Sequence, residues 1–427
     1  MRRDFLKLCG LAGLAVMSPI GMPSTGRAQT SEPEPYAGPY YVVFNAAGGW
    51  DTTYLMDPKG VNGLNRLYAE GDILTHGNHK FAPTAPHKEG GMSNEDFFTK
   101  YGSELLVVNG IDYSVNNHTP CQRYMATGKL DSLEFPTFAA MVAACKGSDY
   151  PLAFLSFGNY SGTGNLVPMA RLPYLSTFKL IADADSAKGR GRYAYFDDFA
   201  GDRIEQALKS QSIARTTEQR LPRVERSQNM LYTAQLNSAA LKRALPLIAP
   251  NEPKARLAQQ AEIALVSFKA GVSVSANLSI GQFDSHANND RDQLRLIPEF
   301  LEGIDYLLTR AEELQIRDKL VVVIQSEMGR TPHYNRGQGK DHWSMGSIMF
   351  IGQGIAGNRV IGATDDGQVL KPIDPKTLSI NEKSGIRVRP EHLHQALREH
   401  AGIANHEFAN LFPLGIKPEE QLAGIWG

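Results

Sequence analysis

Six short runs of apolar, largely β-branched or aromatic residues recur along the chain, and no other feature limits its fold so sharply. They are Tyr40–Phe44, Leu105–Val108, Leu152–Phe157, Val272–Ile280, Leu320–Ile324 and Ile348–Ile351, each bounded by Gly, Asn or Asp. A strand that alternates apolar and polar residues has one wet face, whereas an uninterrupted apolar run suits a strand covered on both faces. That is the condition of a mainly parallel sheet. Helix-like segments fall between several of the runs. Phe135–Ala144 carries a start signal at Pro136, residues 201–270 are rich in Ala, Gln, Leu and Arg, and Leu294–Leu314 repeats apolar residues at helical spacing. Pro390–Gly402 reads as a closing helix. The expected fold class is α/β, a mainly parallel sheet sandwiched by helices.

The amino terminus reads as an address rather than as part of that fold. Arg2 and Arg3 precede an apolar stretch from Leu8 to Ile20, whose 13 residues fall short of the roughly 20 that a spanning helix needs. Gly26-Arg27-Ala28 offers small residues to a signal peptidase, so cleavage is expected after Ala28. With Phe5, Leu6 and Lys7 after the arginine pair, residues 1–28 resemble a twin-arginine export signal; an ordinary secretory signal is the other reading. The expectation is a periplasmic or secreted protein that engages the twin-arginine machinery and keeps no transmembrane anchor once mature. Residues 29–39, rich in Pro, Glu and Ser, read as a tether. Residues 40–427 read as a single domain with a helical insertion around 201–270.

Charge narrows the function classes. The whole chain carries −1. Four basic residues against Asp4 give the export segment +3, which leaves −4 on the mature chain. There is no basic excess to release counterions, so no nucleic-acid partner is expected. Cys121 and Cys145 remain after cleavage; two cysteines could pair but do not make a disulfide framework.

The segments just beyond the strands carry the chemistry, because ligands of α/β sheets bind outside the carboxyl ends of the strands. Asn45–Asp51 comes after the first run, Asp112 and then His118 after the second, Phe283–His286 after the fourth, and Ser326–Arg330 after the fifth. Lys340-Asp341-His342-Trp343 precedes the last run, so a loop is expected to bring it to the site. Asp284, His286 and His342 supply one carboxylate and two imidazoles, a set suited to catalytic Zn²⁺ or a related divalent ion. Taken singly, His286 also reads as a loop histidine and His342 as a side chain packed on Trp343. Asp51 and Glu327 offer oxygen ligands for a second, harder site, or cap the helices that succeed their strands. Arg330 suits an anion clamp or a surface ion pair. His392 and His394, two apart on a helix, are not a ligand pair. His76, His79 and His87 are expected to be solvent-exposed loop residues. No Gly-x-Ser-x-Gly elbow occurs, which leaves a triad hydrolase without support.

Several of these segments carry a resemblance. Gly281–Asn289, Leu320–Ser326, Asp341-His342-Trp343, Met349–Gly352 and Val360–Asp365 are similar to the alkaline phosphatase superfamily. Gly48-Gly49-Trp50-Asp51, Ser326–Pro332 and Asp341-His342-Trp343 resemble, within it, the sulfatase-like domain-of-unknown-function family 1501, over most of the chain from Tyr40 onward. The resemblance implies an alkaline-phosphatase-like fold. It implies Asp284, His286 and His342 as the ligands of one metal, with Asp341 beside them, and Asp51 at a second. Glu327-Met328 stands where the superfamily has Asp-His, which weakens that second site. His118–Gly128 resembles the sulfatase signature Cys-x-Pro-x-Arg ending in Thr-Gly, but His118 replaces the cysteine that becomes formylglycine, so that chemistry is excluded. Thr119, and more weakly Ser114, are the remaining hydroxyls; Arg330 or Arg123 would offset charge on the ester oxygens, and His118 would serve as base or ligand. The implied function is hydrolysis of a small-molecule or glycan phosphate or sulfate ester with a divalent metal, zinc preferred and calcium, magnesium or manganese accepted. The competing expectation is a metal-stabilised binding or assembly protein that kept the fold and lost catalysis.

Overall fold

A computed structural model of the chain describes residues 34–61, 63–85, 91–148, 150–159, 161–183 and 241–427, with isolated positions between 203 and 214. The export segment, half of the 201–270 stretch and His87 lie outside the described residues.

Each of the six apolar runs contributes a strand to one eight-stranded sheet. In chain order the strands are β1 (Tyr40–Ala46), β2 (Leu105–Asp112), β3 (Phe154–Ser156), β4 (Met169–Ala170), β5 (Ser275–Ile280), β6 (Leu320–Ser326), β7 (Met345–Gly352) and β8 (Arg359–Ile361). Across the sheet they run β8-β2-β7-β6-β1-β5-β3-β4. The edge strands β4 and β8 are too short to announce themselves as apolar runs. Every neighbouring pair is parallel except those made by β7, which is antiparallel to both β2 and β6. This corrects one expectation. The segment before β7 reaches the site because β7 runs backward, starting at the edge where its neighbours end, and no long returning loop is needed.

Alternation along the strands feeds two cores. Val42, Phe44, Val322 and Ile324 face α5 (Arg256–Lys269) and α6 (Asn289–Glu313), meeting Ile263, Phe268, Phe300 and Leu307. Tyr41, Val43, Val321 and Val323 point to the other face, in a core shared with Met141 and Val142 of α3 (Phe138–Gly147) and Leu393 and Leu397 of α7 (Pro390–His400). Each such aliphatic or aromatic side chain contributes about 1.5–3 kcal/mol on burial. The helices start where their sequences cap them: the Thr137 hydroxyl accepts the Ala140 N–H at 3.2 Å, and Pro390 occupies the first turn of α7.

The remaining helix at the site, α2 (His118–Thr127), has too few apolar positions to show a helical stripe. It ends at Gly128, whose φ of +73° forms a left-handed cap. Cys121, in this helix, and Cys145 are both free thiols. His79 is not a solvent-exposed loop residue: it is buried in a short hairpin against the Phe98 ring, with Nε2 2.9 Å from the Gly102 carbonyl. His392 and His394 are both buried in α7 and point to different partners, Arg389 and Met125. No helix among the described residues is long and apolar enough to cross a membrane.

Candidate functional site

β1 lies between β5 and β6, so the turn leaving it is hemmed in by the chain leaving both neighbours. Gly48 and Gly49 take φ values of +120° and +91° there. A side chain at Gly48 would sit 2.5 Å from the backbone nitrogen of Asp284. Only glycine allows so close an approach. The peptide groups of the turn are then claimed by the segment that follows β6. Glu327, fully buried, accepts the Gly48 N–H at 2.7 Å. Arg330 donates to the carbonyls of Gly48 and Gly49 and, at 3.1 Å, to that of Lys340.

Arg330 is thus neither a surface ion pair nor open to solvent. Its guanidinium is wholly buried, and among the described residues its one ionic contact is Asp284 Oδ1 at 2.9 Å. The two glycine carbonyls, the Lys340 carbonyl and Asp284 take four of its five N–H groups. Burial lowers its pKa, while Asp284 opposes that shift. On the Asp284 side burial raises the carboxyl, but the hydrogen bond and charge of Arg330 outweigh it and hold the group below the usual carboxylate range.

Three imidazoles surround this carboxylate. His286 Nε2 lies 3.1 Å and His342 Nε2 3.3 Å from Asp284 Oδ1, and the two nitrogens are 3.0 Å apart. His118, from the first turn of α2, places Nε2 3.3 Å from Asp284 Oδ2. One donor atom from each of His118, Asp284 and His342 lies within 4.8 Å of the other two. The cluster is open to solvent, with the Asp284 side chain 41% exposed.

The second nitrogen of each ring shows what the first can do. His286 Nδ1 is 2.7 Å from Asp341 Oδ1, and His342 Nδ1 is 2.9 Å from the Asn116 carbonyl. Both partners only accept, so each Nδ1 carries the proton and each Nε2 presents a lone pair. With both rings neutral, two imidazole lone pairs and a carboxylate oxygen face one another. A divalent cation satisfies all three, and each imidazole is held from behind by the kind of partner that orients metal-bound histidine. The donor set fits a metal.

Asp341 is positioned in turn by the Asn335 side chain at 3.0 Å, and the hydrogen bond from His286 lowers its pKa. His342 is shifted down, first by burial and then by the charges of Arg330 and His118, with the Asn116 carbonyl opposing. Its neighbour Trp343 turns away to donate to the Gln368 carbonyl at 2.9 Å.

Asp51 and Glu327, read as a second metal site, each have protein partners in this structure. Asp51 caps the short turn Thr52–Tyr54, taking the N–H of Thr53 at 3.1 Å and its hydroxyl at 2.6 Å on Oδ1. Oδ2 accepts from Asn289 at 3.0 Å and from the ammonium of Lys340 at 2.6 Å, both ion-pair side chains being fully buried. A cation is already present beside Asp51, and it is a lysine. That ammonium also lies 5.5 Å and 5.2 Å from the rings of Tyr54 and Tyr334. Glu327, besides Gly48, faces His118 Nδ1 at 3.1 Å and Gln122 at 3.3 Å. It stands behind an imidazole.

Thr119 is exposed on the first turn of α2, one residue round the helix from His118, and neighbours in sequence do not share a helix face. Ser114 is exposed beyond β2, at φ +60°, with its N–H on Asp112. Arg123 is half-buried farther along α2, with Nε unpartnered among the described residues. The structure does not bring these three into the imidazole cluster by any hydrogen bond.

Four residues to which the sequence alone assigns no role complete the site: Asn116, Lys340, Asn289 and Gln293. Gln293 accepts the Asp51 N–H at 3.0 Å and donates to Phe283 O and Ser285 Oγ, both at 3.1 Å, joining the loops after β1 and β5. The readable signal was a polar pair, Asn289 and Gln293, four apart on the buried and otherwise apolar stripe of α6.

With this geometry established, the chain can be set beside known proteins. No curated protein matches it. Among solved structures it is similar to the PsFucS1 sulfatase from Pseudoalteromonas sp., at 8% identity over 91% of this chain and 73% of that one, with a TM-score of 0.40. The lipoteichoic acid synthase LtaP from Listeria monocytogenes gives 8% identity, 90% and 79% coverage and 0.34. A TAB5 alkaline phosphatase variant with Mg bound gives 10%, 77% and 95%, and 0.33. Scores of this size assign no residue and no activity. The sequence-level match is of another kind: the family model described as "protein of unknown function (DUF1501)" covers residues 190–403. That stretch is half of the chain and contains Asp284, His286, Glu327, Arg330 and His342, and on this match the chain belongs to the DUF1501 family.

Proposed function

We propose that this chain is an exported, metal-dependent hydrolase-like protein acting on a phosphate or sulfate ester at the Asp284–His286–His342 cluster. The observation that supports the reading above all is the meeting of the His286 and His342 lone pairs with Asp284 Oδ1, each ring locked by a hydrogen bond from behind. A divalent ion held there would supply Lewis acidity, polarising an ester oxygen and lowering the pKa of an attacking water.

The chain's own residues do the rest. Arg330 keeps Asp284 ionised and ties the Gly48–Gly49 turn to the carboxylate. Asp341 and the Asn116 carbonyl fix the two rings in one tautomer. The exposure of Asp284 leaves the cluster accessible to an ester carried on a large or small molecule. With Thr119 off the cluster, attack is by water and without a covalent enzyme intermediate.

The test is metal content of the purified protein together with turnover of aryl phosphates and aryl sulfates after loading with Zn²⁺, Mn²⁺ or Ca²⁺. Turnover lost in Asp284→Ala and kept in Thr119→Ala is the expected result. A fully loaded protein that turns over neither ester class overturns the hydrolase reading and leaves a metal-stabilised binding protein.

A further inference from the structure

Resting on that reading of the cluster, we propose that His118 is a fourth protein ligand of the same ion, so that the centre is built from three imidazoles and one carboxylate. His118 begins α2, and its side chain is held between two acidic groups. Nδ1 is 3.1 Å from Glu327 Oε1, and Nε2 is 3.3 Å from Asp284 Oδ2. Glu327, fully buried, accepts from Gly48, Gln122 and His118. In the last of these bonds Nδ1 donates, as it does to Asp341 in His286 and to the Asn116 carbonyl in His342.

The three rings therefore share one arrangement. Each donates outward through Nδ1 and turns its Nε2 toward Asp284; the Glu327 and Asp284 carboxylates raise the His118 pKa, so an ion bound there would displace a proton from its Nε2. The His118 and His342 rings meet edge to face, with centroids 4.3 Å apart, and the His286 and His342 centroids are 4.6 Å apart. Such packing gathers the Nε2 atoms on one carboxylate, and the donor atoms of His118, Asp284 and His342 all lie within 4.8 Å of one another, within reach of a shared cation. A general base would instead need its lone pair free for substrate.

The donor set has two consequences. Three imidazoles and a carboxylate suit first-row divalent ions and not calcium or magnesium, which take oxygen ligands. Four protein donors also complete a four-coordinate shell, the closed arrangement of structural zinc, whereas catalytic zinc keeps three and an open place. An ester-cleaving form of this centre thus requires an ion that readily accepts more than four ligands, such as Mn²⁺ or Co²⁺.

The experiment uses the full mature chain, stripped and reloaded with Co²⁺, for the wild type, His118→Ala and Gln122→Ala. Co²⁺ affinity and the visible ligand-field spectrum are measured, with X-ray absorption counting imidazoles. The expected result is at least a 10-fold loss of affinity and an altered spectrum in His118→Ala, the imidazole count falling from three to two. Gln122→Ala, a neighbour on the same helix, should keep three imidazoles and reports on folding of α2. Unchanged affinity and spectrum in His118→Ala overturn the assignment while leaving the functional reading standing. A wild type that binds no ion overturns both. A centre that loses one imidazole in His118→Ala but cleaves no ester with any ion upholds the assignment and sinks only the hydrolase.

Discussion

At the scale of single residues, the site is arranged around charges that are buried and matched. Lys340 and Asp51 are both fully inaccessible, and Lys340 is also flanked by the Tyr54 and Tyr334 rings. A buried pair contributes little net stability against an apolar replacement, but removing one partner strands the other. Lys340→Met should therefore destabilise the protein by about 3–5 kcal/mol, with Asp51 left uncompensated. The double variant Lys340→Met/Asp51→Asn should recover part of that loss. Urea denaturation of the three proteins measures it, and a Lys340→Met midpoint equal to that of the wild type would show the pair to be dispensable. None of this could be read from the sequence. Lys340 stands beside Asp341 and His342, and its partner lies 289 positions away, so neither its burial nor its pairing with Asp51 leaves a local trace.

At the scale of elements, the turn after β1 is the tightest joint. A methyl group on Gly48 would meet the backbone nitrogen of Asp284 at 2.5 Å, on a residue whose φ is +120°. Gly48→Ala is expected to cost about 1–3 kcal/mol from the backbone conformation alone. It should also push Asp284 off the imidazoles. Thermal melts and Co²⁺ titration read the two effects separately; a variant that melts early yet binds the ion normally would show that Asp284 moves independently of the turn. The strands themselves are legible in the sequence because both faces of β1, β6 and β7 are covered, leaving uninterrupted apolar runs. The direction of β7 is not, since a buried strand reads the same either way. Helix α2 stays hidden for another reason: only Cys121 and Tyr124–Thr127 are buried, and its first turn is given over to His118. Asp284, His286 and His342 are legible as a set because strand ends gather ligands. Asp51 and Glu327 look equally ligand-like, and only their partners separate them from the cluster.

For the whole molecule, stability should fall on mild acidification. His394 is buried in the core between α7 and the sheet, donating Nε2–H to the Met125 carbonyl at 2.8 Å, and burial lowers its pKa to about 4. Burial also lowers His79, His392 and His400. A histidine whose pKa is lowered in the folded state binds its proton more readily when unfolded. Its stabilising effect is complete above the unfolded value near 6.5 and is lost as pH falls toward about 4. For His394 the full difference is about 3 kcal/mol. Denaturant midpoints measured from pH 7 to pH 4 should decline, with a shallower decline in His394→Gln. Parallel profiles for the two proteins would mean that His394 does not carry this term.

The reversed strand has a consequence for how the molecule is made. β7 comes late in the chain yet lies third across the sheet, wedged between β2 and β6. Until the residues beyond Trp343 arrive, β2 and β6 have no strand to join them, and His118 and Asp284 belong to separate halves. Closing loops of such length is slow compared with local helix formation. The imidazole cluster therefore closes only once β7 is in place, and on the proposed reading a bound ion would mark a chain whose two half-sheets have joined.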